Sequence, residues 1–218
     1  MTPHLTPDLL LRAYRLGLFP MATSRDSATL HWLDPDTRGI LPLDSFHISH
    51  SLMKCLRGNE FEVTADTAFA AVIAGCAKAR DNRPETWINQ EIEQLFIQLH
   101  QLGFAHSLES WKNGELVGGL YGISMGGAFF GESMFSTAPN GSKIALAHLV
   151  VRLRVGGYTL LDTQFITSHL ASFGAIEIPR ATYHSLLIQA MDIPARFPAC
   201  LDSALLISEF QSIRRTSS

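Results

Sequence analysis

Asn113-Gly114 is the feature that most restricts what this chain can fold into. The pair stands between residues 106–112 and a run that begins at Glu115, and it supplies the positive φ angles that a two-residue hairpin loop requires. The flanking runs are therefore predicted to be neighbouring antiparallel strands, with a third strand through residues 129–135. Helical signals surround this meander. Thr6-Pro7-Asp8 ahead of an apolar run closed by Gly17 combines a capping residue, a proline at the first helical position and a glycine past the end. Residues 64–79 are Ala-rich with apolar positions at helical spacing, and residues 89–102 form a helix closed by Gly103. After the meander the pattern predicts a helix over 142–155, a strand over 158–165, a short helix over 167–173, a short strand over 175–178 and a helix over 180–190. The tail after Ile207 reads as frayed. The order predicts the α/β (α+β) class, a mixed sheet with flanking helices. Turn signals over residues 32–39 put a boundary near residue 38, between a small N-terminal domain (1–38) and a larger one (39–218).

Composition narrows the function classes. Hydrophobic residues at 46 % and charged residues at 17 % exclude a disordered or collagen-like chain. With 17 Lys and Arg against 20 Asp and Glu, a nucleic acid could be held only by a local basic patch. Cys55, Cys76 and Cys200 are odd in number and widely spaced, which argues against a disulfide framework and a metal knuckle. A reducing compartment is expected, and the first residues lack a basic segment followed by an apolar one, so a cytoplasmic protein without a membrane segment is expected. The longest uncharged run, residues 116–131, contains six glycines and falls short of the ~20 apolar residues of a spanning helix.

Several motifs could carry chemistry. Gly122-Ile123-Ser124-Met125-Gly126 matches a serine-hydrolase pattern, with Asp162 and His169 or His184 as partners, but a turn and a strand follow the serine where a helix is required. No phosphate loop or dinucleotide fingerprint occurs. His47 and His50 have no third ligand at motif spacing, so no metal is expected. Asp162 and Gln164 interrupt an apolar strand and project from the same face. Glu132 is a charge inside another apolar strand. Buried carboxylates cost free energy unless paired, so both acids are site candidates, although an isolated Asp more often caps a helix. Phe129, Met134, Leu146, Leu149 and Leu161 would line an apolar pocket beside them or serve simply as core.

Eight stretches taken together carry a resemblance: Leu11-Arg12-Ala13-Tyr14-Arg15-Leu16-Gly17-Leu18-Phe19-Pro20, Glu85-Thr86-Trp87-Ile88, Ala105-His106-Ser107 with Glu109, Leu116-Val117-Gly118-Gly119-Leu120-Tyr121-Gly122, Gly131-Glu132-Ser133-Met134-Phe135-Ser136, Ser142-Lys143, Asp162-Thr163-Gln164, and Gly174-Ala175 with Glu177-Ile178-Pro179. The chain resembles the leucyl/phenylalanyl-tRNA–protein transferases over nearly its whole length. That resemblance implies a monomeric bacterial cytoplasmic enzyme without a cofactor. It would move Leu, Phe or, less well, Met from aminoacyl-tRNA to the N-terminal Arg or Lys of a protein, marking it for degradation. It also implies a catalytic domain of the GCN5-related acyltransferase fold. In this family Trp often stands where this chain has Met21, and a Trp-Trp pair where it has Trp32-Leu33.

The reaction implied is aminolysis of an ester by an α-amine of pKa about 7.7 to 8.0, which needs orientation and electrostatics more than a strong base. The resemblance implies that Gln164 accepts a hydrogen bond from the attacking amine. Asp162 would fix the Gln164 amide and favour positive charge on nitrogen, and Glu132 would hold the cationic end of the acceptor or fix the reacting groups. The apolar set becomes the pocket for the donor side chain, where flexible Met134 accommodates Leu and Phe. Trp87 would stack on the terminal adenosine, worth about 1 to 3 kcal/mol per base. Tyr14, Met21, Tyr121 and Ser142 join the substrate-binding set. A basic patch for tRNA would draw on Lys54, Arg57, Arg80, Arg83, Lys143, Arg152 and Arg154, which could equally be a solvated face. Two alternatives are a coenzyme-A-dependent N-acetyltransferase on the same fold and a non-catalytic RNA-binding module. The first needs a pyrophosphate loop whose spacing Arg152-Leu153-Arg154-Val155-Gly156-Gly157 does not match, and the second is disfavoured by the net charge and by acids in apolar strands.

Overall fold

The computed structural model describes residues 5–27, 29–58, 60–78 and 86–216. In chain order the elements are α1 (Pro7–Arg15), β1 (Phe19–Ala22), β2 (Leu30–Leu33), β3 (Thr37–Ile40), α2 (His50–Arg57), β4 (Glu62–Ala65), α3 (Phe69–Ala77), α4 (Gln90–Gln101), β5 (Ala105–Lys112), β6 (Glu115–Met125), β7 (Ala128–Ser136), α5 (Gly141–Val155), β8 (Leu160–Gln164), α6 (Ser168–Ala171), β9 (Ile176–Pro179), α7 (Arg180–Met191) and α8 (Ser203–Thr216). Seven strands form one mixed sheet in the order β4-β5-β6-β7-β8-β3-β9, while β1 and β2 pair only with each other. The α/β architecture is the one the element order predicts.

The hairpin signal is realised at its predicted place. Asn113 (φ 54°) and Gly114 (φ 78°) turn β5 into β6, with Lys112 opposite Glu115. The glycine closing α1 likewise takes φ 82° at Gly17. Two predictions are corrected. Residues 64 and 65 end β4, and the helix begins only at Phe69, because Asp66 breaks the strand at φ 61° and bonds to Ser107 and His106. The chain after Ile207 is helical through Thr216 rather than frayed, and α8 buries Phe210 and Ile213.

The sheet is covered on both faces. One core gathers Leu10, Phe96, Tyr121, Phe130 and Tyr183, and the other gathers Leu120, Phe129, Leu146, Leu161 and Phe210. Helix α5 is buried from Ile144 to Leu153, which explains its lack of a polar face: it lies between the sheet and α2 and α8. It is also the crossover that allows β7 and β8 to run parallel, in a sheet whose other pairs are antiparallel.

That parallel pair is short. Ala128, Phe130 and their neighbour Phe129 match Leu160 to Asp162, and no pairing continues beyond Phe130 and Asp162. Strand β7 goes on along β6, whereas β8 stays with β3, pairing Gly39 with Gln164 and Ile40 with Asp162. The sheet therefore opens between β7 and β8. At the same level β7 carries a bulge, where Tyr121 faces Ser133 and Gly122 faces Gly131, leaving Glu132 without an opposite residue. Only glycine fits at position 122, because a Cβ there would collide with the Phe130 carbonyl oxygen.

Candidate active site

The opening between β7 and β8 is a cavity of about 320 Å³. Its deep wall is apolar and buried: Leu120, Leu146, Leu149, Leu161 and Leu170, with Met134 packed beside them. The more open side carries Met21, Trp87, Phe165 and His169, and Phe19 and Pro20 also line it. Polar groups come from the parted strands themselves, Glu132 and Ser133 from β7 and Thr163 and Gln164 from β8. An apolar recess with a few convergent polar groups is the form expected of a small-molecule site.

Glu132 is aimed into the cavity by the bulge. Its Oε1 accepts a hydrogen bond from the Tyr14 hydroxyl at 2.7 Å. Burial pushes the carboxyl up to about 8, reinforced by the Asp162 charge and opposed by the Tyr14 hydrogen bond and Arg38. The Tyr14 hydroxyl is itself raised well above its ordinary value, by burial and then by Glu132. At neutral pH Glu132 is thus mostly protonated. A buried acid with a raised pKa contributes stability that is fully present below its ordinary value of 4.5 and is lost as pH rises to about 8, because the unfolded chain releases the proton first. Glu132→Gln should therefore gain stability over the parent as pH rises, by about 2 to 4 kcal/mol after allowing for partial access to the cavity. Urea unfolding at pH about 5 and about 8.5 checks this, and an unchanged difference between the two would contradict it.

Asp162 lies behind the cavity rather than on its surface. It is fully buried, and Arg38 grips it at both oxygens: Nε donates to Oδ1 at 3.0 Å and Nη2 to Oδ2 at 2.6 Å. The Tyr183 hydroxyl donates to Oδ2 at 2.7 Å and the Gln164 backbone N–H to Oδ1 at 2.8 Å. Burial opposes the Arg38 charge, yet the neighbouring Asp162 holds the guanidinium's pKa above its ordinary value. Tyr183 is raised by burial and by Asp162. Sequence reasoning has Asp162 holding the side-chain amide of Gln164, whereas here the bond goes to the main-chain N–H, and Gln164 lines the cavity while Asp162 does not. Gln164 takes φ 55°, and its buried Nε2 has no hydrogen-bond partner.

Of the substrate-binding residues expected from sequence, Met21, Trp87, Tyr121, Met134, Leu146, Leu149 and Leu161 line this one cavity, as do Glu132 and Gln164. Tyr14 stands behind Glu132. Phe129 packs instead against Tyr158 and Phe197. Ser142, in the first turn of α5, donates its N–H to Ser136 Oγ and does not reach the cavity. The basic set is more dispersed. Lys54 and Arg57 are exposed on α2 and border a shallow depression with His50. Lys143 is half-buried and near enough to His169 to add to the burial that lowers its pKa. Arg154 is engaged by Glu209 and Asp44. Arg152 is corrected: it is buried in α5 beside His148, so it faces no solvent phosphate, and burial lowers its pKa. Arg80 and Arg83 lie outside the described residues.

The hydrolase alternative loses its geometry. Ser124 sits in β6 ahead of a tight turn into β7, and its hydroxyl bonds to the Tyr158 hydroxyl rather than to a histidine. Among the described residues no group of three His, Cys, Asp or Glu could hold a metal, and no helix is long and apolar enough to cross a membrane. Sequence reasoning missed Arg38 and Tyr183. The signal for Arg38 was available, since it too is a charge beside an apolar run, Gly39-Ile40-Leu41.

Comparison with known proteins finds relatives over most of the chain. Residues 40–188 match the family model for leucyl/phenylalanyl-tRNA protein transferase and residues 4–36 match that of its N-terminal domain. A leucyl/phenylalanyl-tRNA–protein transferase from Paramagnetospirillum magneticum is 58 % identical over 193 residues, covering 88 % of this chain and 92 % of the relative. One from Rhodopseudomonas palustris is 55 % identical over 196 residues, covering 90 % and 87 %. Among solved structures, L-PGS from Bacillus licheniformis matches with a TM-score of 0.41 and 15 % identity over 74 % of this chain and 66 % of that one.

Proposed function

The chain belongs to the leucyl/phenylalanyl-tRNA protein transferase family, and from that premise we propose how its cavity passes Leu or Phe from aminoacyl-tRNA to the N-terminal Arg or Lys of a protein, marking it for degradation. The observation that carries the reading is that an apolar recess, the buried Glu132 carboxyl and Gln164, whose Nε2 has no hydrogen-bond partner, share one opening in the sheet. A branched or aromatic side chain fits the recess, and its aminoacyl ester then lies beside the polar groups.

In the reaction the acceptor's α-amine attacks the ester carbonyl, a C–N bond forms, the bond to the ribose oxygen breaks, and the amine's proton ends on that oxygen. Near neutral pH a useful fraction of the amine is already unprotonated. The Gln164 side-chain oxygen accepts a hydrogen bond from the amine and orients its lone pair. Asp162 acts at one remove, by fixing the main chain of Gln164. Glu132 awaits a cation: entry of the acceptor's positive charge favours the ionised carboxylate, so binding and proton release are linked. Trp87, and Met21 beside it, cover the terminal adenosine. Lys54, Arg57 and Lys143 attract the tRNA backbone. A donor of this kind puts the work in the cytoplasm.

Transfer of labelled Leu and Phe from charged tRNA to peptides beginning with Arg or Lys tests the activity, with peptides beginning with Asp or Glu, and with acetyl-coenzyme A as donor, as controls. Labelling only with acetyl-coenzyme A, or no labelling by folded protein, would overturn it. The recess has its own test. Met134→Ala removes one wall, and if Met134 meets the donor side chain the ratio of Phe to Leu transfer should shift by about tenfold. A ratio unchanged in folded protein would remove Met134 from the site.

A further inference from the structure

Gln164 can meet an amine only if its backbone stays where β8 leaves it, and we infer that Arg38 is a positioning residue for transfer, acting through Asp162 on the main chain of Gln164. This rests on the reading of Gln164 given above. Arg38 has almost no freedom. Its side chain is 1 % exposed, and its guanidinium carbon lies over the rings of Phe19 and Tyr183, 4.4 Å from each centroid. Beyond the two bonds to Asp162, Nη1 donates to the Gly17 carbonyl at 2.9 Å and Nη2 lies 3.3 Å from the Tyr183 hydroxyl.

The consequence is geometric. Asp162 Oδ1 is shared between Arg38 Nε and the Gln164 N–H. Rotation of the carboxylate would break the second bond, and Gln164 is held at φ 55°, a conformation that a residue with a side chain adopts only when its surroundings impose it. A lone positive charge could balance Asp162 from many directions. A planar fork bonded to both oxygens and held against two aromatic rings fixes the carboxylate plane, and lysine cannot reproduce that. The neighbouring Tyr183 hydroxyl restrains Oδ2 in the same way.

Arg38→Lys and Tyr183→Phe separate this role from a purely structural one. For folded Arg38→Lys, kcat for transfer should fall about 10- to 100-fold, because small misplacements at a reacting centre carry such losses, while KM for charged tRNA stays within about twofold. Tyr183→Phe, which changes no charge, should lower kcat about 3- to 10-fold. Neither should matter once Gln164 is gone, so Arg38→Lys added to Gln164→Ala should be no slower than Gln164→Ala alone. Circular dichroism confirms the folded fraction used to normalise the rates, and Tyr183→Phe carries the same cycle if Arg38→Lys does not fold. Parental kcat in both single variants, or losses that multiply in the double variant, would overturn the inference. A Gln164→Ala enzyme as fast as the parent would instead overturn the reading on which it rests.

Discussion

Asp162→Ala should lower the transfer rate about 100-fold or more per folded molecule while leaving affinity for charged tRNA nearly unchanged. Asp162 does not line the cavity, so substrate binding does not depend on it directly. What the substitution removes is the carboxylate that holds the Gln164 N–H and balances Arg38. The second loss appears in stability. An arginine left in the interior without its counter-charge costs about 3 to 5 kcal/mol, so the variant should unfold at much lower urea concentration even where it is folded at the start. Filter binding of charged tRNA, single-turnover transfer and urea unfolding on the same preparation separate the two losses. A folded variant with the parental rate would remove Asp162 from the mechanism.

Gln164→Ala should divide these effects differently. The amide makes no side-chain hydrogen bond from Nε2 within the protein, and the left-handed backbone strains Ala no more than Gln, so stability should stay within about 1 kcal/mol of the parent. The transfer rate should nevertheless drop about 100-fold, the scale on which loss of an oriented polar group at a reacting centre is felt. KM for the donor should change little if the apolar recess holds its side chain, as proposed above. Transfer kinetics at saturating charged tRNA check this, and a stable variant with parental kcat would reassign the amine's partner to another residue.

The residues that local chemistry dictates were legible in the sequence. Asn113-Gly114 fixes a hairpin because few other pairs tolerate both φ angles, and the Asp162 and Glu132 charges stand out because apolar strands do not carry them without cause. The apolar lining was legible as a set, though Phe129 could not be told from its neighbours: it belongs to the same core as Leu146 and Leu161, and only the folded structure shows that its ring packs on Tyr158 and Phe197 rather than on the cavity. Arg152 was misread because a helix covered on every side loses the polar face by which exposed arginines are recognised. Arg38 lies 124 residues from Asp162 in the chain, and no local pattern links the two. Nor does any pattern in residues 37–40 announce that β3 inserts between β8 and β9.

Arg38 joins Gly17, in the segment before the sheet, to Asp162, deep within it. The two portions of the chain matched by separate family models, 4–36 and 40–188, are therefore not interchangeable parts. A graft of the first portion from a relative would have to bring a carbonyl to the same point beneath the guanidinium and a ring equivalent to Phe19 against its face, and any fragment starting after the arginine would inherit a buried carboxylate with no cation. Drift in either portion is constrained by the other, and the seam between them runs through the buried Arg38–Asp162 pair.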